Sequence, residues 1–440
     1  MRSSHASAVV VVMGMLLPWT LHPSAQRSEA STMNTVAERY VKLVLALGQH
    51  DADFVDAYYG PPGWKTEVEQ RKLSLTEIGS EADRLIGQIP RRGVAADSAV
   101  VLREEYLRRQ LEAVRARVRM LGGTKLSFDE ESTALYDALA PTHPESYFQA
   151  IIDQLDPLLR GRGALIDRYD AFRKEFIIPP SRLGEVFDAA IAECRSRTLE
   201  HIQLPPKESF KIEYVTNKSW SGYNWYQGNF QSLIQVNTDL PIYIDRAIDL
   251  ACHEGYPGHH VYNALLEKNL VRDRGWQEFT VYALFSPQSF IAEGTANYGI
   301  EVAFPGDQRL EFERSALFPK AGLNPARVAE YYRVQALVDR LAYAGNEAAR
   351  RYLNGEIDRR TAAAWLVRYA MMSPPRAEQR TRFFDQYRSY VINYNLGKDL
   401  VKQYIESRGG TADRSDQRWR EFENLLSSPR LPSSLTPNRP

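Results

Sequence analysis

The sequence predicts a mainly α-helical protein with one small β-sheet, and three observations lead to that fold class. Apolar residues recur at helical spacing through most of residues 34–201 and again through 324–407. Between these stretches, residues 210–237 are rich in aromatic and β-branched side chains that alternate with polar ones, as in strands. An amphipathic helix follows directly, and a Tyr-Pro-Gly run that starts at Tyr256 interrupts it. We therefore expect a small sheet or hairpin beside an interrupted helix.

The N-terminal residues are typical of a secretory signal peptide. Arg2 supplies the positive charge, residues 8–17 form an apolar run, and a Pro-Ser-Ala cleavage site ends at Ala25. Residues 1–25 are therefore predicted to be a signal peptide, with a periplasmic or extracellular location for the mature chain. The apolar run is too short for a membrane-spanning helix, so no stable membrane partner is expected beyond the signal segment.

Residues 33–206 form a predicted helical N-terminal part. Its first helix is expected to end at Gly48, and an aromatic, Pro/Gly-rich loop is expected over 51–64. Further helices are predicted over 73–89, 95–121, 146–159, 164–176 and 181–203. The charged face of the second of these is interpreted as solvated, because its Arg and Glu residues stand at i,i+4 spacing. Pro157 is expected to end the third early.

Residues 207–408 form the predicted second part, which begins with the small sheet. Strands are predicted over 211–215 and 232–237, and Gly-containing turns between them allow a hairpin or a small meander. An edge strand here would bind an extended substrate by strand addition. The alternative is a sheet that only covers the helices.

Helices are expected again after the sheet, and the chain ends in a tail. The predicted helices cover 324–343, 345–354, 358–372 and 377–407. Residues 409–440 are predicted to be a C-terminal tail, with one short helix over 421–426 and a disordered end from 427.

The composition narrows the classes of function. The chain has 440 residues, of which 44% are hydrophobic, enough for a substantial core. Its 55 Lys and Arg residues balance its 55 Asp and Glu residues, so no nucleic-acid partner is expected. Two cysteines rule out a disulfide scaffold. Cys194 and Cys252 could pair after export, but two buried thiols are favoured, because Cys252 lies in the interrupted helix.

Three of the eight histidines fall within the interrupted helix, next to a glutamate. In zincins two histidines stand four residues apart on a helix and bind one Zn²⁺. Four residues after His253 the chain has Pro257, which cannot bind metal and crowds the helical turn. The turn must therefore be widened, and Gly258 supplies the backbone freedom to re-enter the helix. A two-residue insertion makes His259 the second ligand, and His260, which returns to the same face at i+7, is the competing choice.

A zincin site needs a third protein ligand and leaves the fourth position open. Glu293 is the best candidate, because it lies on a second apolar helical stretch among small residues. Asn297 and Glu301 follow on the same face at spacings of four, so one of them is a candidate to hold a ring nitrogen of a ligating histidine. Glu254, directly after His253, is the expected general base.

The run His-Glu-x-x-Pro-Gly-His-His over 253–260, followed by Glu-Gly-x-Ala-x-Tyr over 293–298, resembles a large bacterial family. That family is catalogued as a domain of unknown function and is grouped with the gluzincin zinc metallopeptidases. The resemblance covers residues 33–408 and is most specific over 232–301. It implies a zincin-like, mainly α fold with a small sheet or hairpin beside the metal-binding helix. It also implies a zinc site of three residues with Glu254 as base: His253, His259 and Glu293.

The match to that family is incomplete at two places in the sequence. Thr295 stands where members commonly carry Trp, which alters the expected pocket wall. Near the C-terminus, Tyr394-Asn395-Leu396-Gly397 matches a Tyr-x-x-Gly run, but the Pro-Gly-Gln-Ala run that many members place before it is not clear here.

We expect an exported, zinc-dependent metallopeptidase-like hydrolase that cleaves peptide bonds in short peptides. The preference for short peptides rests on fold analogy. Zn²⁺ is the expected cofactor, because it lowers the pKa of a bound water toward about 7, and Glu254 would take that water's proton. Four side chains are candidates to hold the oxyanion beside the metal: His260, Arg388, Tyr390 and Tyr394.

Two alternatives stay open. The first is a zinc-dependent hydrolase of another small amide or ester. The same metal chemistry cleaves peptide, other amide and ester bonds. The second is a non-catalytic, metal-stabilised binding protein. Glu254 argues against the second, since a structural site needs no adjacent base and is usually filled by four protein ligands. The sequence predicts no particular oligomeric state.

Overall fold

The structure is a computed structural model that describes residues 23–90 and 99–436, with side chains from residue 32 onward. Within these ranges the protein is mainly helical with two small sheets, which confirms the predicted fold class at that level. The elements of the N-terminal part are α1 (Pro23–Gly48), β1 (Val55–Tyr58), α2 (Pro62–Arg71), α3 (Leu75–Gln88), α4 (Ala99–Leu121), α5 (Phe128–Tyr136), α6 (Glu145–Leu155), α7 (Leu165–Lys174) and α8 (Leu183–Leu199).

The second part starts with three strands and continues as helices. Its elements are β2 (Ser209–Val215), β3 (Gly222–Gly228), β4 (Gln231–Asn237), α9 (Asp245–Leu250), α10 (His259–Leu266), β5 (Val281–Ala283), α11 (Pro287–Ala303), α12 (Gln308–Phe312), α13 (Phe318–Ala321), α14 (Val328–Asp339), α15 (Ala344–Leu353), α16 (Arg359–Tyr369), α17 (Pro374–Tyr387), α18 (Ile392–Ser407) and α19 (Ser415–Leu426).

The predicted signal peptide lies outside the described residues, apart from its last three positions, which begin α1. None of the helices in the described ranges is long and apolar enough to cross a bilayer. Export therefore stays a prediction from the sequence.

Several helices begin or end at residues whose local sequence signals explain the boundary. Ser74 caps α3 in a capping box with Glu77. α6 ends at Leu155, two residues before Pro157, as predicted. α5 was not predicted, although Ser127 caps it in the same way and the sequence contains that signal. Strand β1 lies inside the predicted loop 51–64, and α2 and β3 were also not predicted.

The charged face predicted to be solvated is partly buried. Arg103, Glu104 and Arg108 of α4 are only 5%, 4% and 9% exposed. Nε of Arg103 lies 2.5 Å from Oε1 of Glu278, a residue 175 positions away in the sequence. The prediction was wrong for these three residues, because helical spacing cannot show a partner at that distance along the chain.

The single helix predicted over 377–407 is in fact two helices. α17 ends at Tyr387, a 3₁₀ turn covers Arg388–Val391, and α18 begins at Ile392. Arg388 has a φ of 51°, in the left-handed region that a continuing helix does not allow. Tyr390 therefore lies in the turn rather than on a long helix.

The predicted C-terminal tail packs on the rest of the protein where it is described. α19 contacts α11 and α18, and Leu431 and Leu435 are 4% and 0% exposed. The backbone N–H of Ser433 donates to Oδ2 of Asp137 at 3.0 Å. The expectation of disorder from residue 427 is therefore wrong for 427–436, and 437–440 lie outside the described residues.

The two sheets lie next to each other, and β1 of the smaller sheet contacts β3 of the larger one. In the larger sheet the strand order is β2-β4-β3, with β2 parallel and β3 antiparallel to β4. β1 and β5 form an antiparallel pair. The phenolic O–H of Tyr223 on β3 donates to Oδ1 of Asp56 on β1 at 2.7 Å, which ties the edge of the larger sheet to the smaller one.

α11 and α18 cross at a pair of glycines. A Cβ atom on Gly294 would lie 2.6 Å from the carbonyl carbon and oxygen of Gly397, so the two backbones are in direct contact. Glu293 precedes the first glycine, and Tyr394 lies one turn before the second. The crossing therefore brings these two side chains toward one place, and gives the Tyr-x-x-Gly run a packing role.

One continuous cluster of buried apolar side chains runs from Met33 to Leu435. Both predicted parts contribute to it, so the change of composition near residue 206 does not divide the core.

Candidate metal centre

The interrupted helix follows the path that its sequence requires. After α9 the chain continues as a wide, π-helical turn over Ala251–Gly255 and re-enters a regular helix at His259. The N–H of Gly258 donates to the carbonyl of Cys252 at 2.9 Å, which closes the widened turn. A Cβ atom on Gly258 would lie 1.9 Å from the carbonyl oxygen of His253, so only glycine fits. The structure thus has the widened turn that Pro257 predicts.

Three side chains converge at this turn, and we call them the cavity cluster: His253, His259 and Glu293. Nε2 of His253 lies 3.2 Å from Nε2 of His259 and 3.3 Å from Oε2 of Glu293. Nε2 of His259 lies 3.7 Å from Oε1 of Glu293. The structure brings together the three residues that the sequence predicts as ligands, and as a set they could hold a metal ion.

The spacing and the chemistry of these atoms fit zinc. Ligand atoms that stand about 2.0–2.1 Å from a tetrahedral zinc lie about 3.3 Å from one another. The distances from Nε2 of His253 to Nε2 of His259 and to Oε2 of Glu293, 3.2 and 3.3 Å, lie close to that value. The distance from Nε2 of His259 to the other carboxylate oxygen, Oε1, is 3.7 Å. Oε2 of Glu293 is buried and has no hydrogen-bond partner among the described residues, although buried polar atoms in proteins are nearly always satisfied. Two imidazoles and a carboxylate are also a donor set that zinc commonly takes.

Two of the three cluster residues are held in the protonation state that metal binding needs. For His253, burial lowers the pKa, but Glu254 and Glu293 outweigh it and raise the pKa above its usual value. Burial lowers the pKa of His259 to about 4, with His253 adding to the shift and Glu293 opposing it, so its ring is neutral at neutral pH. For Glu293, burial raises the pKa, but His253, His259 and Tyr390 outweigh it and hold the pKa below its usual value. A neutral imidazole and an ionised carboxylate are both ready to donate electron pairs.

His260 faces the other way. It is 0% exposed, its Nδ1 lies 2.9 Å from Oγ of Ser232, and its Nε2 lies 2.9 Å from Oε2 of Glu208. The O–H of Tyr256 donates a hydrogen bond to Oε2 of Glu208 at 2.5 Å. Nη2 of Arg195 donates to Oε1 of the same carboxylate at 2.7 Å. We call the four buried residues of this set the buried cluster: Glu208, Ser232, Tyr256 and His260. Arg195 is exposed and pairs with the cluster from the surface. Both ring nitrogens of His260 are engaged there, so it is neither in the cavity cluster nor beside the cavity in which an oxyanion would form.

Glu254 lies beside the cavity cluster without belonging to it. It is 4% exposed and lines the cavity. Burial raises the pKa of its carboxyl to about 7, Glu293 and Asp56 add to the shift, and His253 opposes it. A Cβ atom on Gly222 would lie 2.7 Å from Oε1 of Glu254, so a glycine is needed where β3 passes this carboxylate. A carboxyl with a pKa near 7 can both accept and return a proton near neutral pH.

The three candidates near the C-terminus have different positions. The O–H of Tyr390 donates to Oε1 of Glu293 at 2.8 Å, so it orients a cluster residue. Tyr394 lines the cavity, and no described residue is hydrogen-bonded to its hydroxyl. Burial raises its pKa well above the usual value, and Glu293 adds to that shift. Arg388 donates from Nε to Oε2 of Glu131 at 2.6 Å and does not line the cavity, so it is not placed to hold an oxyanion.

Asn297 and Glu301, the candidates to hold a ring nitrogen of a ligating histidine, bind other groups. Nδ2 of Asn297 donates to the carbonyls of Glu293 and Tyr394, at 3.1 and 3.2 Å, and so ties α11 to α18. Glu301 forms ion pairs with Lys398 and Lys402. Neither contacts a ring nitrogen of the cavity cluster.

The cavity is large and contains residues that the sequence did not indicate. Its volume is about 1520 Å³, and both predicted parts of the chain line it. Asp56 comes from β1, and burial raises the pKa of its carboxyl to about 7, against the hydrogen bond from Tyr223. Arg380 comes from α17. No motif or periodicity singles out these residues, because they reach the site only through the packing of distant elements.

Comparison with known proteins adds little to this geometry. No family model and no curated protein matches the chain. A candidate lipoprotein from Colwellia psychrerythraea is similar in structure, with 14% identity and a TM-score of 0.49, over 84% of this chain and 70% of that one. The crystal structure of a protein called BsuCP matches with 10% identity and a TM-score of 0.43, over 92% of this chain and 91% of that one. With identities and TM-scores this low, the function must be argued from the site itself.

Proposed function

We propose that the protein is an exported, zinc-dependent hydrolase of peptide bonds, similar to the gluzincin metallopeptidases. The observation that carries this proposal is the cavity cluster with Glu254 beside it, all facing one large cavity. His253, His259 and Glu293 would hold the ion and leave one position open toward the cavity. The export step rests on the signal sequence alone.

A zinc ion held there would supply a Lewis acid that activates water and polarises a carbonyl group. Glu254 would take the proton of the attacking water and return it to the leaving amine, a role for which a pKa of about 7 is suited.

The two cavity tyrosines would have separate roles. Tyr390 would fix the orientation of Glu293 through its 2.8 Å hydrogen bond. The hydroxyl of Tyr394 has no described partner and lines the cavity, so it is the better candidate to donate to a developing oxyanion. We no longer assign that role to Arg388 or His260, because both are engaged elsewhere.

Strand β3 would guide an extended substrate to this site. It is an edge strand of the larger sheet, and Gly222, Tyr223 and Asn224 line the cavity beside Glu254. An edge strand can bind a peptide backbone by strand addition. This favours peptides over esters, which lack the backbone N–H groups that strand addition uses.

The test is hydrolysis by the zinc-loaded chain of matched substrates that contain a peptide, a simple amide or an ester bond. Products are identified by mass spectrometry, before and after chelation and with the Glu254→Gln variant as the control. We expect the peptide to be cleaved in a zinc-dependent reaction that the variant lacks. Cleavage of the ester or amide alone would replace this proposal with the corresponding hydrolase. A zinc-loaded chain that cleaves nothing would favour a binding protein.

A further inference from the structure

Arg380 is a cation that lines the cavity without an anionic partner. Its Nε is buried and has no hydrogen-bond partner, and among the described residues no carboxylate forms an ion pair with it. Aromatic rings surround its guanidinium, with ring centres 4.5 Å away in Phe383, 5.6 Å in Tyr394 and 5.7 Å in Phe384. These rings stabilise the charge, but they do not replace acceptors for the N–H groups in the guanidinium plane.

Several other arginines of low exposure among the described residues pair with a carboxylate. Arg103 pairs with Glu278, Arg309 with Asp249, and Arg350 with Glu347. Buried charges are generally paired, because an unpaired one is costly to desolvate. Arg418, which is also buried, donates to two backbone carbonyls instead. Arg380 has neither kind of acceptor among the described residues, and it lies in the wall of the candidate site.

Its position relative to the cavity cluster is defined by two neighbours. Arg380 contacts the ring of Tyr394, and Tyr394 is in contact with Tyr390, whose hydroxyl is bonded to Glu293. Burial lowers the pKa of the guanidinium, and Tyr394 and Glu293 oppose that shift. A guanidinium nevertheless stays charged in proteins. A ligand at the cluster would therefore be within reach of Arg380.

We propose that Arg380 binds a carboxylate of the substrate while the bond to be cleaved lies at the cavity cluster. This inference rests on the proposed hydrolase and specifies its substrate class. A guanidinium binds a carboxylate through two parallel hydrogen bonds, which would satisfy the donors that have no partner. The carboxylate belongs either to the C-terminus of a peptide or to an Asp or Glu side chain, since both present the same group.

The experiment uses three matched peptides and the zinc-loaded chain. The peptides are N-acetyl-alanyl-phenylalanine, its C-terminal amide, and N-acetyl-alanyl-glutamic acid amide. The first carries a terminal carboxylate, the second none, and the third a side-chain carboxylate. The variants are Arg380→Met, Arg380→Lys and, as a matched control, Arg382→Met, which removes an exposed arginine from the same helix.

We expect the wild type to prefer one carboxylate peptide over the neutral amide by about 30-fold in kcat/KM, mainly through KM, as a charge-assisted pair supplies. Preference for the first peptide assigns the C-terminal carboxylate, and preference for the third assigns the side chain. Arg380→Met should abolish the preference and spare hydrolysis of the neutral amide, Arg380→Lys should keep part of it, and Arg382→Met should keep all of it. Equal cleavage of all three peptides by the wild type, or an equal loss on all three in Arg380→Met, would overturn the inference.

Failure of the hydrolase proposal is a separate outcome. If the zinc-loaded wild type cleaves none of the peptides, titration calorimetry decides the role of Arg380 alone. Tighter binding of a carboxylate peptide than of the amide, lost in Arg380→Met and kept in Arg382→Met, upholds the anion site. Equal binding of all three peptides rejects it. If Arg380→Met does not fold, Arg380→Lys carries the comparison, because it keeps the charge and removes the paired hydrogen bonds.

Discussion

Two histidine–glutamate clusters flank the same turn, and they differ in whether their polar atoms have partners. In the buried cluster, each ring nitrogen of His260 lies 2.9 Å from an oxygen atom, of Ser232 or of Glu208. In the cavity cluster, the two imidazole nitrogens face each other at 3.2 Å, and one carboxylate oxygen of Glu293 accepts no hydrogen bond from the described residues. The first arrangement is complete within the protein, whereas the second presents two imidazole nitrogens and a carboxylate to the cavity, a donor set that suits a metal ion.

This difference separates a stabilising role from a functional one for adjacent residues. His259 and His260 are neighbours in sequence and of the same residue type, so composition and spacing treat them alike. The helix that begins at His259 points their side chains in different directions, one to the cavity and one to the larger sheet. The pattern of satisfied hydrogen bonds then indicates which one can serve as a metal ligand.

The largest expected effect comes from exchanging these two histidines for alanine. His259→Ala should lose more than about 100-fold in zinc affinity, beyond the 10–100-fold cost of losing an indirect partner. His260→Ala should bind zinc as the wild type does, but should unfold more easily by about 1–3 kcal/mol, because Glu208 loses a buried partner. Zinc titration and urea unfolding measure the two effects. The reverse pattern would mean that the buried cluster holds the metal.

Glu254→Gln should separate catalysis from binding. The substitution keeps the size of the side chain and removes the base, so turnover of a cleaved peptide should fall by at least about 100-fold. Zinc content and the unfolding midpoint should stay close to those of the wild type, because Glu254 does not belong to the cavity cluster. Unchanged turnover with zinc bound would remove Glu254 from the mechanism.

Tyr390→Phe should have a smaller effect on the cavity cluster. The loss of one hydrogen bond to Glu293 is expected to weaken zinc binding or activity by about 10-fold, within the range for partners that orient a ligand. Tyr387→Phe is the matched control, because Tyr387 also lines the cavity but does not bond to Glu293. Equal effects of the two substitutions would mean that the hydrogen bond does not orient the carboxylate.

The smallest effect concerns the pH dependence of the buried cluster. Burial raises the pKa of Glu208, but His260, Tyr256 and Arg195 outweigh it, so its folded-state pKa lies below the usual value. Such a group stabilises the fold above its unfolded pKa, about 4.3, and loses that contribution as the pH falls through the folded-state pKa. Glu208→Gln should therefore flatten the acid limb of the stability curve, measured by urea unfolding from pH 7 to pH 3. An unchanged acid limb would show that Glu208 does not contribute.

The sequence predicted the parts of the site that depend on local covalent rules. Pro257 forbids a regular turn and Gly258 permits an irregular one, so the widened turn could be inferred from two residues. The choice of His259 followed from counting the inserted residues, and Glu293 from its place on a second helix. These inferences needed no knowledge of tertiary packing.

The residues that the sequence missed depend on contacts between distant segments. Asp56 and Arg380 reach the cavity from elements more than 300 residues apart, and nothing near either one marks it as functional. Arg388 was assigned to the site because a continuous helix was assumed, and its left-handed backbone ends that helix. Pairing over long sequence separation also explains the buried Arg103 on a face predicted to be solvated.

The most direct test of the account is the metal content and coordination of the full chain, purified without chelators and supplied with zinc. We expect about one zinc per chain by mass spectrometry. Zinc-edge X-ray absorption should give nitrogen and oxygen ligands at about 2.0–2.1 Å, with no sulfur ligand despite the adjacent Cys252. Absence of stoichiometric metal, or sulfur among the ligands, would contradict the assignment of His253, His259 and Glu293 as the metal centre.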